Sequence, residues 1–145
     1  MDLIKCMDIA ASGMTSQRTR LNVISMNLAN ANTTKTADGT PYKRKTAIFR
    51  TVPINSTFEE RLQNTMNKKI YGVEVKNIVP VDTPFKQLYD PTHPDADDKG
   101  YVHLPNVNLV EEMVAMLDAN RAYEANASAI RAAKDMATKA LEIGR

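Results

Sequence analysis

Two stretches of this 145-residue chain hold side chains whose types and spacing suit chemistry. From Asp95 onward, Asp97 and Gly100 fall at the third and sixth places of a calcium-loop pattern, where carboxylates supply oxygen ligands and glycine makes the sharp turn. Lys99 occupies the fifth place, however, and Asn106 stands where a bidentate glutamate is needed, with Pro105 inside the loop. The departures argue against a metal site. His93 and His103 are too far apart for a local zinc pair and have no cysteine beside them, so they read as surface-loop histidines. The second stretch surrounds Cys6, the only cysteine, which excludes an intramolecular disulfide and a paired-cysteine metal site. Lys5 is the one cation close enough in sequence to activate its thiol. There is no Gly-x-Ser-x-Gly elbow, and the five glycines are isolated, so no phosphate-cradling loop exists. No catalytic residue, cofactor or small-molecule substrate is indicated.

Partners are narrowed in the same way. A net charge of +2, with no basic stripe interleaved with aromatics, does not mark a nucleic-acid partner. Lys43, Arg44 and Lys45 form one basic cluster and read as the solvated edge of a strand. Asp2, Lys5 and Asp8 interrupt any apolar signal-peptide core, and no run approaches the ~18 apolar residues of a membrane span. By composition alone the chain reads as soluble, not inserted in a membrane and not exported by a cleaved signal. A third polar stretch, N-L-A-N-A-N-T-T-K-T from Asn27 to Thr36, is poor helix-interior material, because these side chains compete for backbone hydrogen bonds.

The elements that hold these residues follow from proline and apolar spacing. All seven prolines lie between Pro41 and Pro105, which leaves both ends free to be continuous helices. In the N-terminal segment Met7, Met14, Leu21 and Leu28 repeat every seven residues. Ala10, Gln17, Ile24 and Ala31 follow three places later, forming a coiled-coil seam. Gly13 in its midst invites a close approach. In the C-terminal segment Leu109, Met116, Tyr123, Ile130 and Ala137 form one row. Met113, Asn120, Ala127, Lys134 and Leu141 form the other. Asn108 is the expected N-cap with Glu111 as its capping-box partner, and Gly144 is the expected stop. Alanines between Ala119 and Ala140 are spread round this helix, suiting either simple helix propensity or contact with several neighbours.

A helix from about Leu109 to Ile143 would be roughly 50 Å long, whereas a compact globule of this chain length is only about 40 Å across. The expected fold is mainly α and elongated, with long N- and C-terminal helices packing as a coiled coil around a small β or irregular middle module. The expected divisions are 1–35, a core helix with its Asn/Thr-rich junction, 36–106, the middle region, and 107–145, the second core helix. The first and third together form one coiled-coil domain. Within the middle, Y-K-R-K-T-A-I-F and Y-G-V-E-V-K-N-I-V-P-V read as half-exposed strands, Y-D-P-T-H-P-D-A-D-D-K-G-Y as turns, and residues 57–69 as a loop or short helix. Relative helix direction is open at this point.

The segment D-I-A-A-S-G-M-T-S-Q-R-T-R-L-N-V-I-S-M-N-L-A-N-A-N-T-T-K-T resembles the opening of the bacterial flagellar rod and hook axial proteins. Asn27, Asn30, Ala31, Asn32 and Thr33 match their Asn-Ala-Asn-Thr signature. Tyr89 to Asn126 is similar to the short proximal-rod members of that family, through Tyr89-Asp90-Pro91, His93-Pro94, Gly100-Tyr101-Val102, Pro105-Asn106-Val107-Asn108, Glu111 and Met113. The resemblance implies a structural subunit that polymerises helically through its terminal helices, builds the drive shaft, lines the export channel and is needed for motility. It implies self-association, contact with other rod proteins and the basal-body and export-gate complex, and a place in the rod across the periplasmic space. Exit through the flagellar type III apparatus would replace a signal peptide. The residues expected to serve packing and assembly are Met7, Met14, Leu21, Ile24, Asn27, Leu28, Asn30 and Asn32 on one side. On the other they are Leu109, Met113, Met116, Tyr123, Ile130 and Leu141. Another short rod subunit, or a soluble helical adaptor or chaperone with one partner, would share many of these features.

Overall fold

The computed structural model describes residues 3–54 and 70–143. The reading of 57–69 and the stop at Gly144 lie outside them. Helix α1 spans Leu3–Ala29, and helix α2 spans Leu109–Ile143. Between them lie strands β1 (Lys45–Pro53), β2 (Tyr71–Pro80), β3 (Lys86–Tyr89) and β4 (Tyr101–Leu104). The fold is mainly helical, with a small central β module and two long terminal helices packed together. Helix direction is settled by two contacts. Gly13 lies against Asn126, and Asn27 bonds Glu112. The pairs are two heptads apart on each helix and run in opposite directions, so the coiled coil is antiparallel.

The start of α2 follows its sequence signals. The Asn108 side-chain oxygen accepts the Val110 N–H at 3.2 Å, and its amide donates to Glu111 at 3.0 Å. At the end of α1 the Asn30 amide donates back to the Met26 carbonyl at 2.9 Å, and the chain leaves in turns. The same carbonyl also accepts the Asn30 backbone N–H at 3.1 Å, so Asn30 closes the last turn of the helix twice over.

The strands form two separate antiparallel pairs, β1 with β2 and β3 with β4. A register shift between Ile48 and Phe49 leaves Lys76 as the extra residue on β2, which bends and twists that hairpin. The hairpin lies on α1, opposite α2. Ser16 Oγ donates to the Val73 carbonyl at 3.0 Å, and the Val73 N–H donates to Ser12 Oγ at 3.2 Å. Helix hydroxyls thus satisfy backbone groups that an open strand edge would leave exposed. Gly72 makes this approach workable, since a Cβ there would sit 2.9 Å from Ser12 Oγ. In the second pair Tyr89 and Tyr101 meet edge to face at 5.3 Å. His103 belongs to β4, not to a loop as expected, because its strand pairs with Gln87.

Candidate assembly site

The seam between the helices is built from small residues. Ala119 and Ala133 are 0% and 1% exposed. A Cβ on Gly13 would come within 3.0 Å of the Asn126 amide, so the missing side chain makes room for that asparagine. On α1 the buried apolar residues are Ala10, Val23 and Ile24. Such a seam permits close helix approach but buries little apolar area, and burial stabilises by only about 25 cal/mol per Å². It also carries a polar flaw: Gln17 Oε1 is buried with no hydrogen-bond partner, and an unpaired buried polar group is destabilising.

At one end the seam gives way to a polar junction. Asn27 is 1% exposed and uses its full side-chain hydrogen-bonding capacity. Its Nδ2 donates to the Lys45 carbonyl at 2.8 Å and to Glu112 Oε2 at 3.0 Å. Its Oδ1 accepts from the Lys45 N–H at 2.9 Å and from the Tyr42 hydroxyl at 3.0 Å. Glu112 is 0% exposed, and its second oxygen takes Arg44 Nε at 2.5 Å. A carboxylate so far from water persists only when its oxygens are both engaged. The Arg44 N–H is held by Asn106 Oδ1 at 2.8 Å, and Asn106 Nδ2 reaches Val81 and Thr83. The junction therefore ties α1, the approach to β1, the β2–β3 connection and α2 into one network. Burial, then the nearby negative charge of Glu112, pushes the Tyr42 hydroxyl above its ordinary pKa.

A second link joins the Asn/Thr stretch to the turn region. Thr34 Oγ1 donates to Asp95 at 2.8 Å, and Lys35 Nζ lies 3.5 Å from the same carboxylate. The Thr34 bond holds Asp95 below the ordinary carboxylate range; burial opposes it, and the Lys35 charge supports it more weakly. Asp97 pairs with His103 Nε2 at 2.8 Å. The two aspartates of the calcium-like pattern are thus engaged with separate partners. Among the described residues no group of three or more His, Cys, Asp or Glu is placed to hold a metal.

Of the residues singled out by sequence, Ile24 and Asn27 are buried, while Met7, Met14, Leu21 and Leu28 are half-buried on α1. Asn30 is half-buried and bonds its own helix, and Asn32 is exposed. Met116, Tyr123 and Ile130 are half-buried on α2. The other expected row is displaced by one residue. Glu112, Ala119, Asn126 and Ala133 occupy its place, while Met113 and Leu141 of that row, and Leu109 at the head of the first row, are exposed outside the seam. The pattern favoured Met113 because burying a charge is costly; Asn27 and Arg44 remove that objection to Glu112. Tyr42, Arg44, Asn106 and Glu112 went unrecognised as a cluster. A usable signal was present: the heptad through Ala133, Asn126 and Ala119, extended one step back, lands on Glu112.

Among the described residues the dominant feature is a narrow small-residue seam joining the two terminal helices, closed at one end by a buried polar junction. Residues 7–35 match the family described as "Flagella basal body rod protein", and residues 98–143 match "Flagellar basal body rod FlgEFG protein C-terminal". The class is that of flagellar basal-body rod proteins. Within that class, the chain is similar along nearly its whole length to proteins named flagellar basal-body rod protein FlgC. It is 45% identical to the one from Borreliella burgdorferi, covering 99% of this chain and 98% of that one. It is 42% identical to that of Aquifex aeolicus (98% and 97%) and 38% identical to that of Bacillus subtilis (100% of both). The chain belongs to the FlgC family. It is a structural rod protein and not an enzyme.

Proposed function

We propose that the chain polymerises helically through its terminal helices, alone and with neighbouring rod proteins, to form part of the flagellar drive shaft around the export channel. Residues 1–35 and 107–145 make the core in this reading, and 36–106 form an outer module. Passage through the flagellar type III apparatus brings it to the rod in the periplasmic space. The observation that carries the reading is apolar surface left open on α2 after α1 has taken its seam: Leu109, Val110, Met113, Val114 and Leu117 are 50–69% exposed. A contiguous patch of large apolar side chains marks an interaction surface. Contact with other rod and basal-body proteins accompanies family membership; which faces meet which neighbours is part of the proposal. Leu21→Asp and Ile130→Asp place a charge at half-buried positions beside the seam. Each is expected to abolish motility and rod assembly while protein synthesis continues. Normal swimming in either strain would count decisively against the reading.

A further inference from the structure

The row of α2 that runs through the seam repeats every seven residues as Glu112, Ala119, Asn126 and Ala133, and its next step is Ala140. Small side chains give such a row little shape by which one offset differs from the next. The helix lengths leave room for another offset. In the observed one, Asn27 stands level with Glu112 and Gly13 with Asn126, so the 27 residues of α1 lie along residues 110–136 of α2. Helix α2 continues for one more heptad, to Ile143. A slide of one heptad, about 10 Å, would therefore keep the whole described length of α1 against helix. It would set Gly13 against Ala133 and Asn27 against Ala119, and bring the start of α1 level with Leu141 and Ile143, which the observed offset leaves exposed. Asn126 would exchange Gly13 for Arg20, a long side chain that can turn its head to water. What the slide cannot keep is the fit at Glu112. Its carboxylate would stand beyond Ala29, the end of α1, and away from Asn27 Nδ2 and Arg44 Nε. Gln17, another polar side chain of the seam, gives the observed offset no preference through its Oε1, which is unpaired there.

We propose that Glu112, gripped by Asn27 and Arg44, is a register stop: it selects the observed offset of the two terminal helices over the one a heptad further along α2. A buried ion pair is a weak source of stability, but it can specify which of several similar packings forms, as a single polar residue does in a coiled-coil seam. The geometry suits that task. Each carboxylate oxygen is held by a different segment, Oε2 by α1 and Oε1 by the chain entering β1. Both donors are themselves fixed by other partners. Asn27 is held by the Lys45 backbone and Tyr42, and the Arg44 backbone is held by Asn106. Asn27 and Arg44 thus form a fixed socket on one side, and Glu112 is the member carried by α2 itself. A slid pair would cover a different part of α2, so the stop also makes every copy expose the same surface.

Pulsed electron–electron spin resonance on the full-length chain reads the offset. Spin labels go on Ser25→Cys and Asp135→Cys, both exposed positions, with Cys6→Ser to leave no third site. Dilution with unlabelled protein restricts the signal to distances within one chain. Along the axis the labels are about 32 Å apart in the observed offset and about 21 Å apart after the slide. The otherwise unaltered chain should give the long distance alone. Glu112→Ala should raise the share of the short distance at least about tenfold, the order expected for a lost charge-assisted hydrogen bond, with helicity by circular dichroism unchanged. A second variant, Glu112→Ala with Ala119→Glu, moves the acid one heptad along. It should make the short distance the main one, because the carboxylate then meets Asn27 and Arg44 only after the slide. A helical Glu112→Ala protein with the long distance alone overturns the proposal and assigns the offset to the link between β4 and α2, where Asn106 bonds Val81 and Thr83. Loss of helicity in that variant overturns it too, since Glu112 would then serve folding itself and not the choice of offset. So does an unaltered chain that shows both distances, or a helical second variant that keeps the long one.

Discussion

Replacing Asn27 by leucine asks what the polar junction contributes. The change keeps most of the volume and removes four hydrogen bonds at once. Not all four losses weigh equally. Tyr42 is only half-buried and Lys45 is exposed, so water can reach some of their released groups. Glu112, at 0% exposure, has no such recourse. Its carboxylate loses a charged hydrogen bond worth about 1.5–3 kcal/mol, and the two part-buried bonds to the Lys45 backbone add about 0.5–1.5 kcal/mol each. The expected loss is roughly 3–5 kcal/mol, a large part of the ~5–15 kcal/mol available to a domain. Urea unfolding followed by circular dichroism reads this directly. At a slope of about 2 kcal/mol per M, the midpoint should fall by roughly 2 M. Asn30→Ala and Asn32→Ala are the internal references. The first loses two local bonds, to Met26 and from Thr33, and should cost about 1–2 kcal/mol; the second alters an exposed side chain and should cost no more than about 0.5 kcal/mol. If all three midpoints moved together, the distinction between the buried asparagine and its two neighbours would be refuted.

Three further changes probe other parts of the fold. Ala133→Leu should destabilise by about 1–3 kcal/mol through overpacking of the seam, whereas Ala132→Leu, one residue away and exposed, should stay within about 0.5 kcal/mol; thermal unfolding compares them. Asp95 is held below its ordinary pKa, so the Thr34 link is fully present above the unfolded-state value and is lost as pH falls through the folded one. A pH titration of the Thr34 and Asp95 NMR signals should show a low-pH transition that Asp95→Asn removes. Tyr42 is shifted upward, so its contribution is complete below the ordinary phenol value of about 10 and is lost as pH rises from there through the folded value. Ultraviolet titration should find a late-ionising tyrosine, with Glu112→Gln lowering its pKa only in part because burial is the larger cause.

The helices were legible because both terminal segments lack proline and keep a seven-residue apolar period. The first row of α2 was legible from Met116 onward, since Tyr123 and Ile130 are large and regularly spaced. The second row failed where hydrophobicity and burial part company: Met113 looks like core and faces outward, while Glu112 looks like surface and is fully buried. Arg44 was read as one member of a solvated lysine-rich cluster, because its partner lies 68 residues away and no local spacing connects them. Asn27 drew attention through its signature, but only the fold separates it from Asn30 and Asn32. The strands were recognised as half-exposed, yet nothing local announced that serines of α1 would satisfy the backbone of Val73.

The antiparallel register has a mechanical consequence. Carried onward from the Gly13–Asn126 level, it brings Leu3 opposite the neighbourhood of Met136, so the last turns of α2 project beyond the described start of α1. Leu141 and Ile143 there are 77% and 87% exposed. The bundle thus resembles a zipper with one fastened end. Asn27, Glu112 and Arg44 hold that end, and toward the opposite end the fully buried apolar residues are the small Ala10 and Ala133. Local opening should begin at the free end and travel toward the fastener, with hydrogen-exchange protection rising along the same direction. A subunit of this kind loosens from that free end while its junction still holds α1, α2 and the start of β1 together.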